Sequence, residues 1–320
     1  MEKLNGKSVL VTGGTGLVGS HLVEELIRQK AHVLTTFQTL HPKSYFATKK
    51  LSEKVILVNA DIDDFDKLFH IVTKFKTDYI FHLAAQPIVE TAYANPRETF
   101  NVNIMGTVNI FECARLYPRI KGVIFASSDK AYGKLHKEKY LESDPLQGDH
   151  PYDVSKSAAD LIANTYVKTY GLPIVTSRFG NIYGEGDMNF SRLIPGIMRS
   201  LIFDTDFEIR SDGEFIRDYL YVKDVVAGYI KLAENISKVK GQAFNFGSPE
   251  CLSVLDVIGL IEKSLDKKLH YSIMNIAKNE IPYQSLDYTK VKKTINWKPV
   301  YTIKKTVPDI LLWYKKYFEK

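Results

Sequence analysis

Five side chains have the types and spacing to oxidise a hydroxyl group and then move protons around the carbonyl that results. Tyr152-Asp-Val-Ser-Lys156 sets a phenol and an ammonium four residues apart, a step that puts both on one face of a helix. A phenol takes a hydroxyl proton near neutral pH only if its pKa is lowered, and a neighbouring ammonium favours the phenolate. Tyr-x-x-x-Lys alone occurs by chance in many helices. Here Ser127-Ser128-Asp129 closes an apolar, strand-like run upstream of it, and ligands of open α/β sheets gather at the carboxyl ends of strands. Ser128 is then placed to hydrogen-bond the hydroxyl being oxidised. Asp129 and Lys130 follow directly, an acid beside a potential base. Lysine serves as a base only where burial or nearby cations depress its pKa.

Oxidation needs a hydride acceptor, and the sequence offers a site for one. Gly13-Gly-Thr15-Gly16-Leu17-Val18-Gly19 follows a short apolar run and opens an amphipathic segment. Glycines at 13, 16 and 19 let a turn close, let backbone approach a pyrophosphate, and let helix pack on strand. The helix start then offers unpaired N–H groups and a positive dipole end to phosphates. At the end of the next strand an acidic residue would bind ribose hydroxyls and an Arg a 2′-phosphate. This chain has Phe37 and Gln38 there, with His41 and Lys43 beyond. Phe37 is placed to cover the adenine side and Lys43 to meet a phosphate. NAD is the expected cofactor, with NADP left open.

These groups need a sheet to position them. Strands are expected at Ser8–Thr12, Val33–Phe37, Val55–Val58, Tyr79–Leu83 and Gly122–Ala126, with helices at Leu17–Gln29, Phe65–Phe75 and Asn103–Tyr117. Apolar strands alternating with helices imply a parallel sheet covered on both faces, an α/β doubly wound fold. Beyond Arg178 the rhythm changes. Arg192–Leu201 reads as a helix, Phe207–Arg210 as an edge strand, Phe244–Gly247 as a strand returning to the main sheet, and the tail from Ser253 as mostly helical. Residues 1–180 are therefore assigned to a nucleotide-binding domain with returning segments near 215–250, and 181–320 to a smaller C-terminal substrate lobe. Asn189 and Arg192, at the start of a helix, are placed to meet a diphosphate.

Composition narrows the setting. Hydrophobic residues are 45% and charged residues 25% of 320, ordinary for a globular protein. The net charge of +6 is spread thinly along the chain. It forms no stripe of the kind that binds nucleic acid. No apolar run reaches the roughly 18 residues of a membrane span, and the first eight residues carry no signal core. With Cys113 and Cys251 alone, neither a disulfide framework nor a cysteine metal site is expected. The expected location is the cytoplasm.

The Gly-x-x-Gly-x-x-Gly spacing together with Tyr-x-x-x-Lys resembles the extended short-chain dehydrogenase/reductases, and the likeness runs from Val9 to Pro299. It implies a Rossmann domain and a nucleotide-diphosphate sugar as substrate. It also implies a homodimer built from the helix near Asn103–Tyr117 and the one carrying Tyr152. By the same resemblance Asp61 and Ile62 contact adenine, and Leu83, Ala84 and Ala85 lie beneath the nicotinamide ribose, which Lys156 also holds. Asn181 in Arg178-Phe-Gly-Asn181 touches the sugar or its phosphate, Arg217 in Gly213…Arg217-Asp-Tyr contacts the pyrophosphate, and Lys278 stands in for an Arg. Ser128-Asp129-Lys130 resembles the acid–base segment of sugar-nucleotide 4,6-dehydratases. Lysine in its last place, Phe81–Pro87 with Gln86, and Asn103–Thr107 are similar to the CDP-glucose 4,6-dehydratases. Gln86 is accordingly expected at the substrate and Asn103 at the cofactor.

The implied reaction oxidises C4, eliminates water across C5 and C6, and returns hydride to C6, most simply on CDP-glucose. Tyr152 serves O4, Lys130 removes the C5 proton and Asp129 protonates the departing hydroxyl. A 4-epimerase shares everything except the need for Asp129 and Lys130. A UDP-glucuronate decarboxylase would use a Glu near C6. A non-catalytic dinucleotide sensor tends to lose Tyr or Lys, and both are present here.

Overall fold

The computed structural model describes residues 4–276 and 281–319; Lys278 lies outside the described residues. In chain order the strands are β1 (Ser8–Thr12), β2 (His32–Phe37), β3 (Ile56–Asn59), β4 (Tyr79–His82), β5 (Gly122–Ala126), β6 (Lys139–Tyr140), β7 (Ile174–Phe179), β8 (Asn181–Tyr183), β9 (Phe207–Ile209), β10 (Ile216–Tyr221), β11 (Ala243–Phe246), β12 (Cys251–Leu252), β13 (Tyr271–Ile273) and β14 (Tyr283–Leu286). Seven of them form one sheet in the order β11-β7-β5-β4-β1-β2-β3, with every neighbouring pair parallel. The chain runs outward from β1 to β3, then crosses to β4 on the other side of β1. That reversal opens a crevice at the carboxyl ends of β1 and β4, where such sheets bind ligands.

The strands read apolar throughout because both faces are covered. On one face Val9, Val11, Phe81, Phe179 and Phe246 pack with Leu22 and Leu26 of the helix Leu17–Arg28 and with Val225 and Leu232 of the helix Val222–Glu234. On the other face Leu10, Ile80, Val123 and Phe125 pack with Ile110, Phe111 and Ala159.

The expected strands and helices form, with ends moved by a residue or two, except in two places. The helix expected from Asn103 starts at Pro96, because Asn95 caps it through Oδ1 accepting from Glu98 N at 3.2 Å and Pro96 fits the first turn. That helix passes through a π-helical turn, Asn101–Met105, before continuing as Gly106–Leu116. The tail is less helical than expected. β13 pairs with β9 and β14 with β10 and β6, strands of only three or four residues whose partners lie far away in sequence. The last helix starts at Ile303, earlier than Asp309.

The second lobe is built around β10, which pairs with β8, β12 and β14. It has its own core of Ile197, Met198, Tyr219, Ile258, Val307 and Tyr314. Val291, Ile295 and Trp297 belong instead to the core of the first sheet, where the Trp297 indole donates to Asp224 O at 3.0 Å. The chain thus crosses back twice. Among the described residues no helix is long and apolar enough to cross a membrane.

Candidate active site

The glycine turn has the shape of a phosphate cradle. Gly13 has φ +71°, and a Cβ there would stand 2.8 Å from Ala84 N. A Cβ on Gly19 would stand 2.1 Å from Gly13 O, whereas one on Gly16 would meet nothing nearer than that oxygen at 3.4 Å. The turn is therefore closed on its protein side and open at Gly16. The helix Leu17–Arg28 starts without a side-chain cap and without an acidic residue in its first turn. Its N–H groups and dipole are left to an anion. Thr15 lies in the turn, and Leu17 and Val18 pack against the core of the second lobe.

Beyond β2, Phe37 is half-buried and the Gln38 amide donates to the Asp61 carboxylate. Ile62 turns inward over Gly106, and its carbonyl accepts from the Asn109 amide at 2.9 Å, so its side chain serves packing. Lys43 does not stand ready for a phosphate. Its Nζ donates to Tyr317 O and Glu319 O, both at 3.0 Å, capping the carbonyl end of the last helix.

At the end of β4 the backbone N–H groups of Leu83 and Ala84 bond to Thr12, which fixes the loop Leu83-Ala84-Ala85 against the glycine turn. His82 lies between the hydroxyls of Thr12 (2.8 Å) and Thr107 (3.0 Å). Burial, with the Lys156 charge adding to it, pushes its pKa down to about 3. It is a neutral spacer. Asn103 accepts from Gln86 N at 2.7 Å, donates to Gln86 O at 3.1 Å and donates to Ser155 Oγ at 2.9 Å. Its amide thus clasps the β4 loop to the helix Pro151–Tyr170. The Gln86 side-chain amide is likewise engaged within its own loop, with Ile88 and Thr99.

The side chains expected to react meet at the end of β5. Ser128 caps the turn Asp129–Tyr132, accepting from Lys130 N at 3.2 Å and donating to Asp129 Oδ1 at 2.9 Å. Lys130 Nζ is 4.0 Å from Asp129 Oδ2 and donates to Gln284 Oε1. Gln284 in turn donates to Asp129 O at 3.1 Å. Tyr152 and Lys156 lie on the helix Pro151–Tyr170. Lys156 Nζ donates to Ala126 O at 3.2 Å, and burial draws its pKa down to about 8 against the pull of Asp160.

The Tyr152 phenol departs from expectation. Burial pushes its pKa up, Asp129 and Asp153 add to that, and a hydrogen bond with Ser128 works the other way. The ammonium expected to favour the phenolate is turned onto the Ala126 carbonyl.

The helix is held by a buried ion pair. Arg178 Nε and Nη2 donate to the two Asp160 oxygens at 2.8 and 2.9 Å, and Ser127 Oγ donates to Asp160 Oδ2 at 2.7 Å. Arg178 also donates to Tyr132 OH at 2.7 Å, so one guanidinium ties β7, the catalytic helix and the Asp129–Tyr132 turn together.

Across the crevice, Asn181 Nδ2 is a buried donor without a partner, as a site for a polar ligand requires. Arg192 bonds to Asp187 Oδ2 and Ile182 O, each at 2.6 Å, and Asn189 accepts from Ser191 within its own turn. Both expected diphosphate contacts are therefore tied into the loop that carries them. Arg217 reaches Ile216 O at 2.8 Å and lies over the Phe215 ring.

Sequence reading missed Gln284, Asp160, Asp153 and the Arg210–Glu90 ion pair (2.9 Å) that bridges the two lobes. Gln284 and Arg210 sit in no local pattern, and only folding brings them in. Asp153 stands inside the Tyr-x-x-x-Lys segment and was open to notice.

A parallel sheet with an open glycine turn, and Ser, Tyr and Lys at the end of β5, define a dinucleotide-binding α/β enzyme. The chain belongs to the NAD dependent epimerase/dehydratase family, whose model matches residues 9–247. A CDP-glucose 4,6-dehydratase of Salmonella typhimurium is 31% identical over 336 residues, covering 97% of this chain and 91% of that protein. A UDP-glucose 4-epimerase of Thermotoga maritima, solved with UDP-glucose, matches at TM-score 0.88 and 26% identity, covering 98% of this chain and 100% of its own. A dTDP-glucose 4,6-dehydratase of Bacillus anthracis, solved with NAD, matches at TM-score 0.84 and 25% identity over 97% of each chain.

Proposed function

We propose that the protein is a nucleotide-sugar 4,6-dehydratase that forms a 4-keto-6-deoxyhexose, with CDP-glucose as its substrate. The observation that carries this reading is the turn after β5, where Asp129 and Lys130 stand side by side at 4.0 Å beside Tyr152. Epimerisation at C4 has no use for such a pair. The 31% identity to a CDP-glucose 4,6-dehydratase supports the choice of nucleotide.

Bound at the glycine turn, NAD supplies the hydride acceptor and the positive charge of its nicotinamide ring. Gly13, Gly16, Gly19 and the start of the helix Leu17–Arg28 would hold the pyrophosphate, and Asp61 with Phe37 the adenosine. Lys43, engaged with the last helix, is not placed to greet a 2′-phosphate, which supports NAD over NADP. Tyr152 accepts the C4 hydroxyl proton while Ser128 bonds the same oxygen. The 4-keto group acidifies C5–H, a base beside the Asp129–Lys130 turn takes that proton, and Asp129 protonates the departing C6 hydroxyl. Asn181, with its unpartnered amide, binds the sugar or its phosphate.

We further propose a homodimer through the helical segments 101–116 and Pro151–Tyr170, which leave Met105, Leu116, Leu161 and Tyr170 about half exposed. A 4-epimerase is the second reading, favoured by the engagement of Lys130 with Gln284 and by the match to a UDP-glucose 4-epimerase. Incubation with CDP-, dTDP-, GDP- and UDP-hexoses, followed by mass spectrometry, separates the two. The dehydratase loses one water from the CDP sugar; interconversion at constant mass refutes it in favour of the epimerase.

A further inference from the structure

Two acid–base side chains on the turn after β5 are tied, and a third, whose backbone packs against the turn, feels their charge. Asp129 accepts from Ser128. Lys130 is held by Gln284 and faces Asp129. The third is Asp153, in the first turn of the catalytic helix and next to Tyr152. Among the described residues its carboxyl makes no hydrogen bond.

The backbone holds Asp153 against this turn. Ser157 Oγ lies 2.7 Å from Ala131 O and 3.0 Å from Asp153 O, and accepts from Gly148 N at 3.0 Å. The loop at 148 packs so closely over Asp153 that a Cβ on Gly148 would stand 2.4 Å from the Asp153 carbonyl carbon. The charged groups acting on the Asp153 carboxyl are Lys130 and Asp129 from the turn and Asp149 and His150 from the loop. Tyr93, from the segment after β4, feels the Asp153 charge in turn.

We propose that Asp153 is a catalytic residue of the elimination, the base that takes the C5 proton, with the Lys130 ammonium beside it as the cation that steadies the developing enolate. The proposal rests on the dehydratase reading. In this step the C5–H bond breaks and its proton goes to the Asp153 carboxylate. The electron pair forms the C5–C6 double bond, and the C6–O bond breaks as Asp129 delivers a proton to make water. When hydride returns to C6, the Asp153 carboxylic acid gives its proton back to C5 and is reset.

The chemistry of the group suits that role. Burial pushes the Asp153 pKa up to about 6, Asp129 and Asp149 adding to that and Lys130 and His150 opposing. A general base works best with a pKa near the working pH, and Asp153 meets this.

The test uses the NAD-loaded protein with CDP-glucose in D2O, following water loss and deuterium at C5 of the product. The comparison is between wild type, Asp153→Asn, Asp153→Ser, Asp153→Glu and Lys130→Met. Removing a general base costs about 100-fold or more. The expected result is that loss in Asp153→Asn and Asp153→Ser, with NAD binding retained and Tm no lower than in wild type, and partial recovery in Asp153→Glu. Wild-type kcat should also fall on the acid side with a midpoint near 6, an arm that Asp153→Asn lacks. Asp153→Asn turning over within threefold of wild type overturns the proposal, and so does Lys130→Met abolishing C5 exchange while Asp153→Asn spares it. A wild type that dehydrates none of the four nucleotide hexoses refutes the dehydratase reading, and the role of Asp153 falls with it.

Discussion

The buried pair Arg178–Asp160 gives the sharpest stability prediction. Both side chains are about 5% exposed, and Asp160 also receives the Ser127 hydroxyl. Replacing Asp160 by Asn keeps the shape and removes the charge. The guanidinium is then left buried without its counter-ion, and an amide nitrogen competes for its place. Breaking one partner of such a pair costs about 3–5 kcal/mol, a large share of the roughly 5–15 kcal/mol that holds a domain folded. Replacing both by apolar residues of similar volume removes both desolvation penalties and is often near neutral. Asp160→Asn and Arg178→Met should therefore each lose about 3 kcal/mol or more, while Asp160→Leu/Arg178→Met should lose far less than the sum of single losses. Urea unfolding followed by the fluorescence of buried Trp297 reads this as a drop in midpoint at constant slope. Because Ser127 adjoins Ser128, the single variants should also lose kcat. Single losses under about 1 kcal/mol, or additivity in the double variant, would show that this pair does not anchor the helix.

Other consequences are as direct. Asp153 has a folded pKa of about 6 against 3.8, so its ionised form is disfavoured by folding. Stability should fall as pH rises from about 4 to 6 and then level, by at most about 3 kcal/mol at 1.36 kcal/mol per pKa unit. Asp153→Asn should consequently raise Tm at pH 7.5 and leave it unchanged at pH 4; equal Tm values at both would refute the assignment. Gly19→Ala forces a methyl group to 2.1 Å from Gly13 O and should abolish NAD binding in a fluorescence titration. Asn181→Ala removes a donor that is unpartnered in the protein, so it should raise KM for the nucleotide sugar at least tenfold without lowering Tm. A fall in Tm would mean that the amide is structural. Lys43→Met should leave the ratio of NAD to NADP affinity unchanged, because its ammonium is bound to Tyr317 and Glu319.

What was legible in the sequence follows the range of the interactions. The parallel sheet could be read because each strand writes its burial into a local apolar run, and the glycine turn because steric demand at Gly13 and Gly19 admits one residue type. Ser128, Tyr152 and Lys156 could be placed because strand end and helix face are local facts. That Asn103 holds the backbone of Gln86 and the Ser155 hydroxyl could not be read, because short-range patterns do not show partners so far along the chain. Lys43 misled in the same way, since its partners stand more than 270 residues away. Gln284 was invisible for that reason too. The rise in the Tyr152 pKa comes first from burial of the phenol, and no spacing rule shows what packs over it.

The π-helical turn at Asn101–Met105 has a consequence for how the gene can change length. An α-helix turns about 100° per residue, so the wider turn absorbs one extra residue without unwinding the helix. Upstream, Thr99 faces the β4 loop; inside the turn, Asn103 reaches Gln86 and Ser155; downstream, Gly106 receives Ile62. Deleting a single codon within 101–105 would let an unbroken α-helix form, a gain in local regularity. It would also rotate everything on one side by about 100° and swing either the Asn103 clasp or the Gly106 notch away from its partner. The helix therefore tolerates many substitutions along its exposed face but admits one length.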